Sequence, residues 1–313
     1  MTTTMRAVTQ DILGGPEVLH LIEADRPTPT TNGILVEVRA AGVNAIDWKI
    51  RQHGLWLTPP FTLGWDVSGV VVAAAPGENR FAVGDEVYGL PGFPALAGGY
   101  AEYVAGPARH FASKPKTLDH VSAAALPMAT LLAWQALVET AKVRPGQRVL
   151  IHASAGGVGH LAVQIAKAHG AYVIGTASAA KHETLRGLGA DELIDYRVQD
   201  FADVAHDVDV VLDLVGGDYE DRSLSTLRPG GLLIGVTNPL DVERIAAKAA
   251  AVGARGVTVD VAPDHAVLEH VAALVDGGRL RPLIAETFPL AKAAKAHELA
   301  EGNHTTGKIV LTM

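Results

Sequence analysis

His152 to Gly170 reads HASAGGVGHLAVQIAKAHG, a glycine-rich turn between an apolar run and an amphipathic one. A turn that leaves a strand and enters a helix presents several backbone N–H groups to a diphosphate, helped by the helix dipole. In the G-x-G-x-x-G pattern, Gly156 would let the backbone approach a pyrophosphate and Gly159 would let the helix pack close to the strand. The first glycine of the pattern is Ser154 here, a small residue that can make the tight turn at some conformational cost. The amides of Ala155, Gly156, Gly157, Val158 and Gly159 are therefore the first cofactor-binding candidates. The alternative is a tight turn with no ligand, and the context argues against it. A strand-like run, RVLIHA (148–153), comes first, and a helical pattern follows. In that pattern Leu161, Ile165 and Ala168 share one face, while His160, Gln164 and Lys167 share the opposite one.

Outward from this turn the same rhythm continues. AYVIGTA (171–177), VDVVLDLV (208–215), GLLIGV (231–236) and GVTVDV (256–261) are apolar runs separated by helical or mixed segments, with ELIDY (192–196) as a shorter sixth strand. Apolar strands alternating with helices imply a doubly wound parallel sheet covered on both faces. Before about residue 115 the texture differs: DVSGVVVAAAP, GDEVYGL and GGYAEYVAGP are short runs fenced by Gly, Pro and Asp. That spacing predicts an antiparallel barrel or sandwich. The expected division is 1–122, 123–262 and a C-terminal segment 263–313 whose strand KIVLTM returns to the first domain.

Bulk properties narrow the function. The chain has 313 residues, 48% hydrophobic and 19% charged, which is enough for two globular domains. A net charge of −8 disfavours nucleic acid as a partner. With no cysteine there is no disulfide, thiol nucleophile or cysteine zinc site, in keeping with a reducing cytoplasm. The start MTTTMRAVTQ lacks the features of a signal peptide, and the block AAALPMATLLAWQAL (123–137) is too short to span a bilayer and reads as a buried helix. A cytoplasmic protein without a membrane partner is expected.

The end of the second strand discriminates between nicotinamide cofactors. An NAD site places an acid about 20 residues past the turn, on the ribose 2′-hydroxyl. That position falls near Ser178, and no acid occurs between Gly170 and Lys181. Ser178 can donate a hydrogen bond to a 2′-phosphate, Lys181 can supply charge, and Tyr196 can add a hydroxyl. Gly175, in the same strand end, joins these candidates, and NADPH is expected over NADH. The competing reading makes Ser178 a helix cap and Lys181 a solvated surface charge.

The segments ASAGGVGHLAVQIAKAHGAYVIGTAS, LGADELIDYR, AAGVNAIDWKIR, LGWDVSGVV, ALPMATLLAWQAL, VLDLVGG and TTGKIVL together resemble the zinc-free, quinone oxidoreductase-like branch of the medium-chain dehydrogenase/reductase superfamily. The resemblance implies a GroES-like antiparallel β-barrel catalytic domain, a Rossmann domain binding NADPH, and a homodimer. Zinc-dependent members place a cysteine at Asn44, a His-Glu pair at Trp65-Asp66 and a cysteine near Leu126, and Asn, Trp and Leu cannot build such a site. The resemblance further implies Asn44 near the nicotinamide and Thr130 on its carboxamide side. Val215, Gly216, Gly235, Val236 and Thr237 would line the nicotinamide ribose, with Lys308 close to the cofactor. Asp47 would anchor a barrel loop. The sequence departs from relatives at Lys49, where several carry tyrosine, and at Gly302-Asn303-His304, where an arginine is common.

Without a metal the expected chemistry is hydride delivery to a quinone ring or the β-carbon of an enone, with donors for the charge that develops on oxygen. Asn44 and Lys49 are the candidate donors, with Tyr100 more distant, and Trp48 and Trp65 would shape an apolar pocket. Each has an alternative: Asn44 holds a loop, Lys49 is solvated, Tyr100 is a core aromatic. Two competing functions stay open, a polyketide-type enoyl thioester reductase and a non-catalytic NADPH-binding sensor or structural protein.

Overall fold

A computed structural model describes residues 3–237 and 241–313. The chain forms two compact units, one of residues 132–261 and one that joins residues 1–131 to 262–313. The first division falls after Leu131, later than the expected boundary at 122, because the helix His120–Ala124 packs on the strands Gly33–Val43 and Asp66–Ala74 of the first unit.

In the unit 132–261, six strands run in the order Glu192–Ile194, Tyr172–Thr176, Arg148–Ile151, Val208–Asp213, Leu227–Gly235, Arg255–Thr258. All five pairings are parallel. The strand that enters the glycine-rich turn lies third and the fourth in sequence lies beside it, so the winding reverses between them, the Rossmann order. Leu150, Ile174, Ile194, Phe201, Val211 and Leu233 form its core, each side chain worth about 1.5–3 kcal/mol over its exposed state. The helix Gly159–Ala168 is buried at every residue from Gly159 to Ala166, His160 and Gln164 included. Its polar face is covered rather than solvated: the π-helical turn Gln135–Thr140 packs against it, and Gln164 Nε2 donates to His160 O at 2.9 Å. The apolar block at 123–137 is helical as expected, but Pro127 starts a second helix, Pro127–Trp134.

In the other unit, a seven-stranded sheet runs Ile284–Pro289, Lys308–Thr312, Gly33–Val43, Asp66–Ala74, Glu86–Gly89, Phe111–Ser113, with Tyr103–Pro107 also paired to Gly33–Val43. A smaller sheet holds His20–Asp25, Thr4–Gln10 and Phe61–Thr62. The terminal strand pairs antiparallel with Gly33–Val43, Ile309 opposite Val43 and Thr312 opposite Ala40. This register carries Lys308 to the residue after Val43. Among the described residues no helix is long and apolar enough to cross a membrane.

Candidate functional site

In the Rossmann unit the turn is built around the serine that replaces the first glycine. Ala153 takes a left-handed φ of 47°, and Ser154 is fully buried. Its amide and hydroxyl both donate to Thr176 O, at 3.1 and 3.0 Å. The neighbouring strand makes room for it, because a Cβ on Gly175 would lie 2.7 Å from Ser154 Oγ. Gly175 thus acts through packing beneath the turn. A Cβ on Gly159 would lie 2.3 Å from Ala153 O and 2.7 Å from Ser154 Cα, so only glycine lets the helix start this close to the strand. Gly156 is open by comparison, and its amide donates to Ala153 O at 2.8 Å. The amides of Ala155, Gly157, Val158 and Gly159 have no backbone acceptor among the described residues. This cradle of N–H groups at the start of a ten-residue helix suits a dinucleotide diphosphate.

Beneath the turn, His152 is fully buried, its ring nitrogens 3.1 Å from Thr176 Oγ1 and 2.9 Å from Ser223 Oγ. It packs on Phe201 and Tyr219. Burial, with Arg222 adding to it, pushes its pKa down to about 3. Ser178 precedes a short turn, Ala179–Lys181, without capping it through its side chain. Lys181 is half-buried, and burial and then Arg197 lower its pKa. Asp195 ties the two segments together, accepting from Ala179 N at 3.2 Å and Arg197 N at 3.0 Å. Ser178, Lys181, Tyr196 and Arg197 thereby come together, and Arg197 is a cation that sequence reasoning did not single out. At the end of the next strand Asp213 Oδ1 accepts from Val215 N at 2.8 Å and Gly216 N at 3.0 Å. Val236 N donates to Asp213 O at 3.3 Å and Thr237 packs on Gly216, so Val215, Gly216, Gly235, Val236 and Thr237 form one strand-end surface.

In the barrel unit, Asn44 precedes the helix Ala45–His53 in an extended conformation. Asp47 caps it, accepting from Asn44 N at 2.7 Å and from Gly64 N at 3.2 Å. The Asn44 side chain belongs to the same capping box and makes a second set of contacts. Its Nδ2 donates to Asp66 Oδ2 at 2.9 Å, and Lys308 Nζ donates to its Oδ1 and, at 3.2 Å, to Asp66 Oδ2. Met128 N donates to the other Asp66 oxygen at 2.7 Å. Asp66 and Lys308 are both buried. Asp66 stands in LGWD at the second half of the position where zinc enzymes carry His-Glu, and the sequence alone assigns it no role.

Behind Asp47 runs a buried chain of polar groups. Arg51 can only donate, so His297 Nδ1 accepts from it at 3.3 Å and His297 Nε2–H donates to Tyr100 Oη at 3.2 Å. Tyr100 in turn hydrogen-bonds Asp47. Glu301 lies 2.6 Å from Arg51 Nη1, an ion pair whose angles do not make it a hydrogen bond. Burial raises the Asp47 carboxyl to about 7 against its two amide bonds, and burial and then Arg51 push His297 down to about 3. Tyr100 is fully buried with its phenol pushed well above the ordinary range, first by burial and then by Asp47. It is a core tyrosine, in contrast to the expectation that it reaches a substrate. Trp65 is likewise fully buried, its indole donating to Ala95 O at 2.8 Å, so it supports the barrel and does not line a pocket. Lys49 Nζ lies 5.8 Å from the centroid of the Trp48 ring, and among the described residues it makes no hydrogen bond or ion pair with Asn44, Asp66 or Lys308. Thr130 is buried and donates to Leu126 O at 2.8 Å. Among the described residues no group of three His, Cys, Asp or Glu is gathered as metal ligands.

Residues 30–116 match the alcohol dehydrogenase GroES-like domain family, and residues 188–311 the zinc-binding dehydrogenase family. Quinone oxidoreductase of Pongo abelii is 33% identical over 325 residues, covering 99% of this chain and 98% of its own length. The polyketide synthase GfsB of Streptomyces halstedii is 40% identical over 287 residues, but this chain, 90% covered, spans only 5% of it. A solved quinone oxidoreductase from Coxiella burnetii superposes with a TM-score of 0.94 at 38% identity, covering 99% of both chains. With the six-stranded Rossmann sheet and the GroES-like barrel, these likenesses show an oxidoreductase that belongs to the quinone oxidoreductase-like branch of the medium-chain dehydrogenase/reductase superfamily.

Proposed function

We propose that this protein is an NADPH-dependent, zinc-independent reductase of quinones or α,β-unsaturated carbonyls, working as a homodimer. The observation that carries the reading is the Asn44–Asp66–Lys308 cluster. At the position where zinc relatives carry metal ligands, it offers an amide and an ammonium. The Lys308 ammonium already compensates the Asp66 carboxylate, and a second cation there would be repelled. The site can therefore polarise an oxygen through hydrogen bonds without a Lewis acid.

The residues divide the work. The turn holds the diphosphate through the amides of Ala155, Gly157, Val158 and Gly159, which have no backbone acceptor among the described residues. Ser178, Lys181, Tyr196 and Arg197 grip a 2′-phosphate, and the Asp195 carboxylate beside them is engaged by the amides of Ala179 and Arg197. The reduced nicotinamide supplies the hydride. Asn44 is partly exposed and donates an N–H to the acceptor oxygen as negative charge builds there, a role worth about 10²–10³ in rate for a single donor of this kind. Solvent supplies the final proton, because Tyr100 and Asp47 are sealed in the barrel.

A second reading, an enoyl thioester reductase, is favoured by the 40% identity to a polyketide synthase segment. The test is to mix purified protein with NADPH or NADH and screen quinones, enones and enoyl thioesters for loss of nicotinamide absorbance, with and without chelator. Turnover of quinones or enones that survives chelation supports the proposal. Turnover of thioesters alone supports the second reading, and silence with tight NADPH binding would make the protein a sensor. Light scattering at the monomer mass would contradict the dimer.

A further inference from the structure

We propose that Lys308 and Asp66 are positioning residues that lock the Asn44 carboxamide in one of its two orientations, oxygen toward Lys308 and nitrogen toward Asp66. The inference rests on the reading of Asn44 as the donor to the acceptor oxygen. It departs from the role that the resemblance gives Lys308, a contact to the cofactor.

The chemistry of the three groups allows only this arrangement. An ammonium has donors and no acceptor, and a carboxylate has acceptors and no donor. Lys308 Nζ lies within bonding distance of both Asn44 Oδ1 and Asp66 Oδ2, and Asn44 Nδ2 lies 2.9 Å from the same Asp66 oxygen. Rotating the amide by half a turn would set its NH2 against the ammonium and its carbonyl against the carboxylate, turning two attractions into two repulsions. The frame is rigid: Met128 N holds Asp66 from behind at 2.7 Å, and Lys308 N donates to Leu283 O at 2.8 Å. The pairing of Ile309 with Val43 delivers Lys308 beside Asn44 from 264 residues away.

One Asn44 N–H is thus spent on Asp66, and the second has no acceptor among the described residues. In the locked orientation that hydrogen is what Asn44 can offer an oxyanion. In the flipped orientation a carbonyl lone pair would take its place and oppose the developing charge. The lock therefore acts on turnover and not on cofactor affinity.

The test is a double-mutant cycle on kcat at saturating NADPH with Asn44→Ala, Lys308→Met and the double variant, with NADPH Kd from fluorescence quenching. Lys308→Met should lower kcat about 10- to 100-fold, the scale of a misplaced donor, and leave Kd within about twofold. In the Asn44→Ala background it should cost no more than about twofold further. Lys308→Arg, which still donates, should recover part of the loss. The side-chain amide resonances of Asn44, identified by their disappearance in Asn44→Ala, should show one proton protected from exchange in the native protein and neither in Lys308→Met. Because Lys308→Met leaves a buried carboxylate without its ammonium, the neutral combination Lys308→Met with Asp66→Asn is measured beside it and should show the same kcat loss. Equal losses from Lys308→Met in both backgrounds, or a raised Kd with kcat retained, would overturn the positioning role. An unchanged kcat in Asn44→Ala alone would instead overturn the reading of Asn44 as donor.

Discussion

Lowering the pH from 7.5 to 5 should weaken this fold through His152, and by an amount that the structure sets. The ring is enclosed by Phe201, Tyr219, Thr176 and Ser223, and burial pushes its pKa from 6.5 to about 3. Folded His152 therefore stays neutral at pH 5, while the unfolded chain binds a proton. The unfolded state holds more protons between pH 6.5 and 3, so the stability His152 contributes is complete above 6.5 and is lost as the pH falls through that window. At about 1.36 kcal/mol per pH unit, the loss by pH 5 is about 2 kcal/mol. Two other buried groups titrate in the same range. His297, also at about 3, has the same sign, and Asp47, raised to about 7, has the opposite sign, gaining stability as the pH falls. Comparison with His152→Gln removes both, since they are common to the two proteins. Urea denaturation of each at pH 7.5, 6.5, 5.5 and 5 should show the difference in unfolding free energy, wild type minus variant, falling by about 2 kcal/mol from pH 7.5 to 5. Parallel pH profiles would refute a neutral buried His152.

Further expectations concern the cofactor unit. Lys181→Ala should raise the KM for NADPH about tenfold with kcat little changed and no effect on NADH, the size of one charge-assisted hydrogen bond; an unchanged KM removes Lys181 from the site. Ala153→Gly should stabilise the protein by about 1 kcal/mol in urea denaturation, because glycine takes the left-handed φ of 47° without strain. Gly159→Ala should destabilise it by several kcal/mol and weaken NADPH binding, since its Cβ would lie 2.3 Å from Ala153 O; normal affinity would contradict the tight strand–helix contact.

The parallel sheet was readable from the chain because its signals are local. Each apolar run from Arg148 to Thr258 is bounded by turn residues, and the turn at Ala153–Gly159 has its strand before it and its helix after it. What local reading missed lies at long sequence separation. Nothing around Tyr100 announces that His297, 197 residues away, takes its hydroxyl, so a buried core tyrosine looked like a candidate donor. Gly175 looked like a cofactor residue, and its necessity comes from Ser154 packed on it from 21 positions earlier. Likewise, Lys308 reaches Asn44 only through the register of the returning strand, which periodicity cannot supply. The sequence pattern also separates His160, Gln164 and Lys167 from the apolar face of the helix Gly159–Ala168, but amphipathicity does not reveal the second layer that covers His160 and Gln164.

The proposed function makes the reduced nicotinamide of NADPH the hydride source and Asn44 the donor to the acceptor oxygen, with no metal taking part. The most direct measurement is steady-state oxidation of NADPH and of NADH by a simple quinone and a simple enone, with chelator present. Turnover should show a kcat/KM at least about tenfold higher with NADPH, and Asn44→Ala should lower it to about 1% of wild type or less. An NADH preference, or full activity in Asn44→Ala, would contradict the proposed function.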